Sequence, residues 1–103
     1  MHPAIAEKRD AVAALCRRYG VTRLELFGSG ARGLDFNPAE SDADFLVEFE
    51  TRADMSSFDQ FFGLAEALEE TLGRRVDLVA PSSIRNPYLR AAINRSKELI
   101  YGA

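Results

Sequence analysis

Residues 24–47 read LELFGSGARGLDFNPAESDADFLV, and this stretch decides the fold. Residues 24–27 form an apolar run of strand length. Gly28-Ser29-Gly30-Ala31-Arg32-Gly33 is a glycine turn, and a polar loop containing Asn37-Pro38 follows it. A second strand, residues 42–49, opens with two aspartates one residue apart. Side chains on a strand alternate faces, so Asp42 and Asp44 project to one side. Ala43, Phe45, Val47 and Phe49 take the other side, the natural core face. Two carboxylates on one face repel unless a cation or protons lie between them. Hard oxygen ligands of this kind suit magnesium, which keeps several waters and takes one or two carboxylates plus substrate phosphates. Backbone N–H groups in the glycine turn can face a phosphate.

Gly28-x-Gly30-x-x-Gly33 also matches the dinucleotide-binding fingerprint, with Glu48 about 20 residues on as the fingerprint asks. The context defeats that match. A dinucleotide fold needs a crossover helix between its two strands. Residues 34–41 are too few for one, and Asn37-Pro38 interrupts them. The fingerprint also leaves the Asp42/Asp44 pair without a purpose.

The 103 residues predict one domain, 1–103, and a hydrophobic content of 47% with seven Phe and three Tyr suffices for one small core. A net charge of −3 and a pI of about 5.1 argue against a general nucleic-acid coat, which needs a basic face. A nucleotide site is still allowed, because metal ions can supply positive charge. The single cysteine, Cys16, excludes an intrachain disulfide and suits a reducing cytoplasm. No apolar run approaches the ~20 residues of a membrane span, and residues 1–10 lack a signal-peptide pattern. The expected location is therefore cytoplasmic.

Ile5, Val12, Leu15, Cys16 and Tyr19 fall on one face at helical spacing, which predicts a helix over 3–19 capped by Gly20. Strands follow at 22–27 and 42–50. Ser56 or Ser57 caps the next helix, whose expected apolar face is Phe58, Phe61, Phe62, Ala65, Leu68 and Leu72, with Gly73 as its stop. Residues 75–80 read as a third strand, with Val76 and Leu78 on one face and Asp77 and Val79 on the other. Asn86-Pro87 opens a helix over 87–95 with Leu89, Ala92 and Ile93 inward. Residues 97–101 fit either a last helical turn or an edge strand. The order predicts an α/β (α+β) fold, a small mixed sheet with flanking helices. The first two strands are joined by a loop too short for a crossover, so they should be antiparallel.

Asp77 is an acid in the apolar run VDLV. Acids buried in strands are rare unless paired or ligating. If the third strand lies beside the second, Asp77 can join Asp42 and Asp44 around two metals, the clamp for in-line phosphoryl displacement. An ion pair to Arg74, Arg75 or Arg52 is the other role open to it, and the acids upstream favour the metal.

Gly28-Ser29, then Asp42-x-Asp44 at the head of a strand, then a lone Asp77 on a later strand, resemble the DNA polymerase beta-like nucleotidyltransferase superfamily. The wording GSGARG…SDADFLVEF is similar to its small branch, the minimal nucleotidyltransferases (MNT proteins) paired with HEPN partners in prokaryotes. The resemblance covers residues 10–101. It implies that Gly28 and Ser29 hold the β- and γ-phosphates of ATP or another NTP. It makes Asp42, Asp44 and Asp77 the catalytic acids: Asp42 and Asp44 ligate two Mg2+ ions, and Asp77 helps activate an acceptor hydroxyl. Arg32 matches the arginine of the family's turn, where a phosphate or acceptor role stands beside a salt bridge to Asp35 or Glu40. The implied function is transfer of a nucleotide, AMP from ATP, to a tyrosine of a HEPN-type toxin, with this chain as the antitoxin. The alternative is a non-catalytic antitoxin that neutralises a HEPN partner by covering it. Direct nucleic-acid binding is not expected.

Overall fold

The computed structural model describes residues 3–27 and 43–102. Its elements are α1 (Pro3–Ala6), α2 (Arg9–Tyr19), β1 (Val21–Phe27), β2 (Ala43–Phe49), α3 (Ser57–Leu72), β3 (Val76–Val79), a 3-10 turn (Pro81–Ser83), α4 (Pro87–Ser96) and β4 (Glu98–Gly102). The four strands form one mixed sheet in the order β3-β2-β1-β4. β1 runs antiparallel to both β2 and β4, and β3 runs parallel to β2. Residues 97–101, open to two readings in the sequence, are thus largely an edge strand.

Parity along β2 sorts the molecule into two sides. Ala43, Phe45 and Val47 are buried in the main core with Leu24 and Leu26 of β1, Leu78 of β3 and Ile100 of β4. Val12 and Cys16 of α2, and Leu64, Leu68 and Leu72 of α3, cover that face. The opposite face carries a second, smaller cluster: Leu46 of β2 with Ile84 and Ile93, joined by Phe27 and Val79. Ile93 belongs to α4, so α4 lies on that second face.

The expected helix over 3–19 is broken. Lys8 has ψ near 7°, off the helical value, and caps α2 without a side-chain bond. Ile5 is buried on one side of the break and Val12 on the other. Gly20 ends α2 in the left-handed conformation, φ 73°, as its position suggests. Ser56 is the cap of α3, its side chain accepting from the Asp59 N–H at 3.1 Å, and Gly73 closes that helix at φ 67°.

Two helix faces differ from expectation. On α3, Phe58 and Phe62 are 68% and 54% exposed and pack on each other at 4.5 Å between ring centroids. The inward stripe is Gln60, Leu64, Leu68 and Leu72. At ~100° per residue, Phe62 lies roughly 160° round the helix from Leu64. Buried Gln60 spends its amide on two backbone carbonyls, Tyr19 O at 3.0 Å and Glu50 O at 2.8 Å. It thereby ties the end of α2 to the end of β2. On α4, Leu89 is 50% exposed and Ala92 is also exposed, leaving Ile93 as the buried residue of that helix. Arg90 Nη2 fixes the helix by donating to Ile84 O at 2.6 Å and Pro81 O at 3.1 Å.

Candidate active site

β2 and β3 bring two of the expected acids together. In their parallel register Asp44 stands opposite Asp77, between the pairs Ala43–Val76 and Phe45–Leu78. Phe45 and Leu78 are core residues, so Asp44 and Asp77 share the second face. On the other side of Asp44, β1 places Phe27 opposite it. Phe27 is the last residue of β1, and the glycine turn begins at the next position. Phe27, opposite Asp44, is thus the described residue that directly precedes Gly28-Ser29 in the sequence. Gly28, Ser29, Arg32 and Asp42 themselves lie outside the described residues, as does any pairing of Arg32 with Asp35 or Glu40.

Asp77 is not the buried acid that VDLV suggested. It is exposed, while Asp44 is half-buried. The reason is the edge position: β3 is a border strand, and among the described residues its second face is covered only from Val79 onward. Arg52, one of the cations weighed as its partner, is engaged elsewhere. It makes a two-pronged ion pair with Asp54, both contacts at 2.9 Å, and that carboxylate holds the guanidinium pKa above its ordinary value.

Two neighbouring carboxylates, one open to water, form a hard oxygen donor set that fits magnesium with its waters and a phosphate. Among the described residues no cluster of three or more His, Cys, Asp and Glu side chains is present. A third carboxylate from Asp42 would have to come from outside them.

The same face carries a group the sequence reading passed over. Glu25 is only 6% exposed, and both its oxygens are paired. Arg23 Nε lies 3.2 Å from Oε1, and Lys97 Nζ lies 3.4 Å from Oε2. The hydrogen bond and charge of Glu25 hold the Arg23 pKa above its ordinary value. Arg23, Glu25, Leu46, Glu48 and Arg90 help line a cavity of about 410 Å³ beneath α4. The legible signal was parity: Glu25 and Phe27 alternate with core residues Leu24 and Leu26.

A family model described as "Nucleotidyltransferase domain" matches residues 8–100. The chain belongs to the nucleotidyltransferase family. It is 43% identical to a Methanocaldococcus jannaschii protein provisionally named a protein adenylyltransferase, over 82% of this chain and 79% of that protein. It is 38% identical to the protein adenylyltransferase MntA of Thermococcus cleftensis, over 84% and 80% of the two chains. A solved structure provisionally named a minimal nucleotidyltransferase superposes with a TM-score of 0.73 at 36% identity, covering 95% of each chain. The fold is also similar to a structure of an MNT antitoxin in complex with a tri-AMPylated HEPN toxin of Shewanella oneidensis. That match has a TM-score of 0.63 at 20% identity, over 95% and 72% of the chains, and bears on fold alone. The resemblance read from residues 28–77 is thus a family membership, and this nucleotidyltransferase has the fold expected of it.

Proposed function

We propose that this nucleotidyltransferase transfers AMP from ATP to a hydroxyl of a partner protein, a tyrosine of a HEPN-type toxin, and acts as its antitoxin. The observation that carries the reading is Asp44 standing opposite Asp77 on the second face of the sheet, beyond the cluster of Leu46, Ile84 and Ile93. The protein adenylyltransferase names of the two relatives support the choice of AMP and of a protein acceptor. Asp42, Asp44 and Asp77 would hold two magnesium ions, which when bound supply positive charge to the phosphates. Gly28 and Ser29 would hold the β- and γ-phosphates, with Arg32 beside them. The acceptor oxygen forms a bond to the α-phosphorus while the bond to the β-phosphate oxygen breaks. Pyrophosphate leaves with that electron pair, and Asp77 takes the hydroxyl proton. Positioning and charge stabilisation do most of the work in such transfers.

The test pairs Asp42→Asn/Asp44→Asn with the toxic chain encoded by the neighbouring gene. The double variant is expected to bind that chain yet leave it unmodified and toxic. Wild type should add an adenylyl mass, read by mass spectrometry, and restore growth. Rescue by the double variant, with no mass added by wild type, would overturn the enzymatic reading in favour of neutralisation by covering.

A further inference from the structure

The outer face of α4 combines exposed apolar and basic residues. Tyr88 is 85% exposed and Leu89 50%, and Ala91 and Ala92 are exposed beside them. Arg95 continues the stripe, since 88, 92 and 95 fall on one side of a helix, opposite Ile93. Residues 81–97 contain Arg85, Arg90, Arg95 and Lys97 and no Asp or Glu, in a chain whose net charge is −3. Arg90 is held by backbone carbonyls and Lys97 by Glu25. Among the described residues, Arg85 and Arg95 have no ion-pair or hydrogen-bond partner. Exposed Tyr and free Arg are residue types enriched at protein–protein contacts.

We infer that the outer face of α4 is the docking surface for the acidic face of the partner chain that carries the acceptor hydroxyl. The inference rests on the reading that this enzyme modifies a partner protein. Position favours that occupant. α4 covers the sheet face that bears Asp44 and Asp77, so a chain seated on it is on the side where the acceptor must arrive. The exposed aromatic pair Phe58 and Phe62 belongs to α3, which packs on the opposite face. A partner docked there would have the sheet between it and the carboxylates. A second copy of this chain is disfavoured by charge, since pairing α4 with itself sets Arg85 and Arg95 against one another with no acid to answer them. Two free arginines on an acidic protein also fall short of the broad basic face that nucleic acid needs.

The experiment measures affinity for the neighbouring gene's product by calorimetry, for wild type, Tyr88→Ala/Arg95→Glu, and Phe58→Ala/Phe62→Ala. Magnesium-dependent ATP binding is recorded for each as the readout that docking should not move. The α4 variant is expected to bind the partner about 30-fold more weakly or worse, with ATP binding unchanged. The α3 variant should bind it like wild type. Equal partner affinity in wild type and the α4 variant would overturn the docking surface while leaving the adenylylation reading intact. Absence of partner binding by wild type would instead overturn the partner reading and this occupant with it. A wild-type dimer or an RNA complex that dissolves on Arg95→Glu would replace the occupant proposed here.

Discussion

Asp77→Asn tests the candidate site through stability, without waiting for a partner. Asp44 and Asp77 stand opposite one another on adjacent strands, which run about 5 Å apart. Two like charges at about that distance repel by roughly 1 kcal/mol in a water-like dielectric, the right limit for an exposed Asp77. Asparagine keeps the shape and removes the repulsion. For a domain of about 100 residues, 1 kcal/mol corresponds to roughly 4–8 °C in Tm. In chelator and low salt the variant should therefore melt at or a few degrees above wild type. The difference should shrink at 0.1 M salt, where screening acts over about 10 Å. Magnesium and ATP should invert the order. A ligand at 100 times its Kd stabilises by about 2.7 kcal/mol, more than the repulsion costs, and only wild type should receive it in full. The assay is a set of thermal melts with chelator, with magnesium, and with magnesium and ATP. If Asp77→Asn melts several degrees below wild type in chelator, Asp77 is a structural residue. If it gains the same shift from magnesium and ATP, it is not a ligand.

Two further outcomes test how the core is held. Gln60→Leu removes two hydrogen bonds and leaves the carbonyls of Tyr19 and Glu50 without that donor, so it should cost about 2–3 kcal/mol, read as a drop in Tm or urea midpoint. Burial pushes the Cys16 thiol from 9.0 up to about 12, so folding favours the protonated thiol. Its contribution is whole below about pH 9 and is lost as pH rises toward 12. The stability advantage of wild type over Cys16→Ala, from urea unfolding at successive pH values, should therefore narrow with rising pH, and an advantage that widened would overturn the assignment.

The fold was legible where local chemistry decides. Gly20 and Gly73 stop their helices because the chain turns left-handed there, and Ser56 caps because its hydroxyl accepts from Asp59. The short link between the first strands did require antiparallel pairing. What the sequence misplaced depends on tertiary contact. Phe58 and Phe62 are apolar and near the right spacing, yet the helix rolls to bury Gln60, because two carbonyls at the ends of α2 and β2 need its amide. Leu89 and Ala92 lie outside because α4 is short and pinned through Arg90 against the 3-10 turn. Asp77 is exposed because β3 is an edge, which periodicity within VDLV cannot reveal. Glu25 was overlooked because its partners are Arg23, two residues away, and Lys97, distant in sequence but close in the fold.

One register serves both the core and the site. Phe45 and Val47 are sealed against α2 and α3, and the same alternation sends Asp44 and Leu46 to the second face. A slip of one residue in β2 would expose Phe45 and bury Asp44 among Leu64, Leu68 and Leu78, a carboxylate without water or partner. That cost is far larger than the mutual repulsion of Asp44 and Asp77. The hydrophobic face thus enforces a juxtaposition of like charges that the two aspartates would not adopt by themselves. Leu46 and Val79 extend the effect, since they lie opposite one another two residues beyond Asp44 and Asp77 and are packed under Ile84 and Ile93. The carboxylates are therefore fixed from behind by the core and from one end by the second cluster. In the proposed transfer, such preorganisation would let charge act on a phosphate without first reordering the chain.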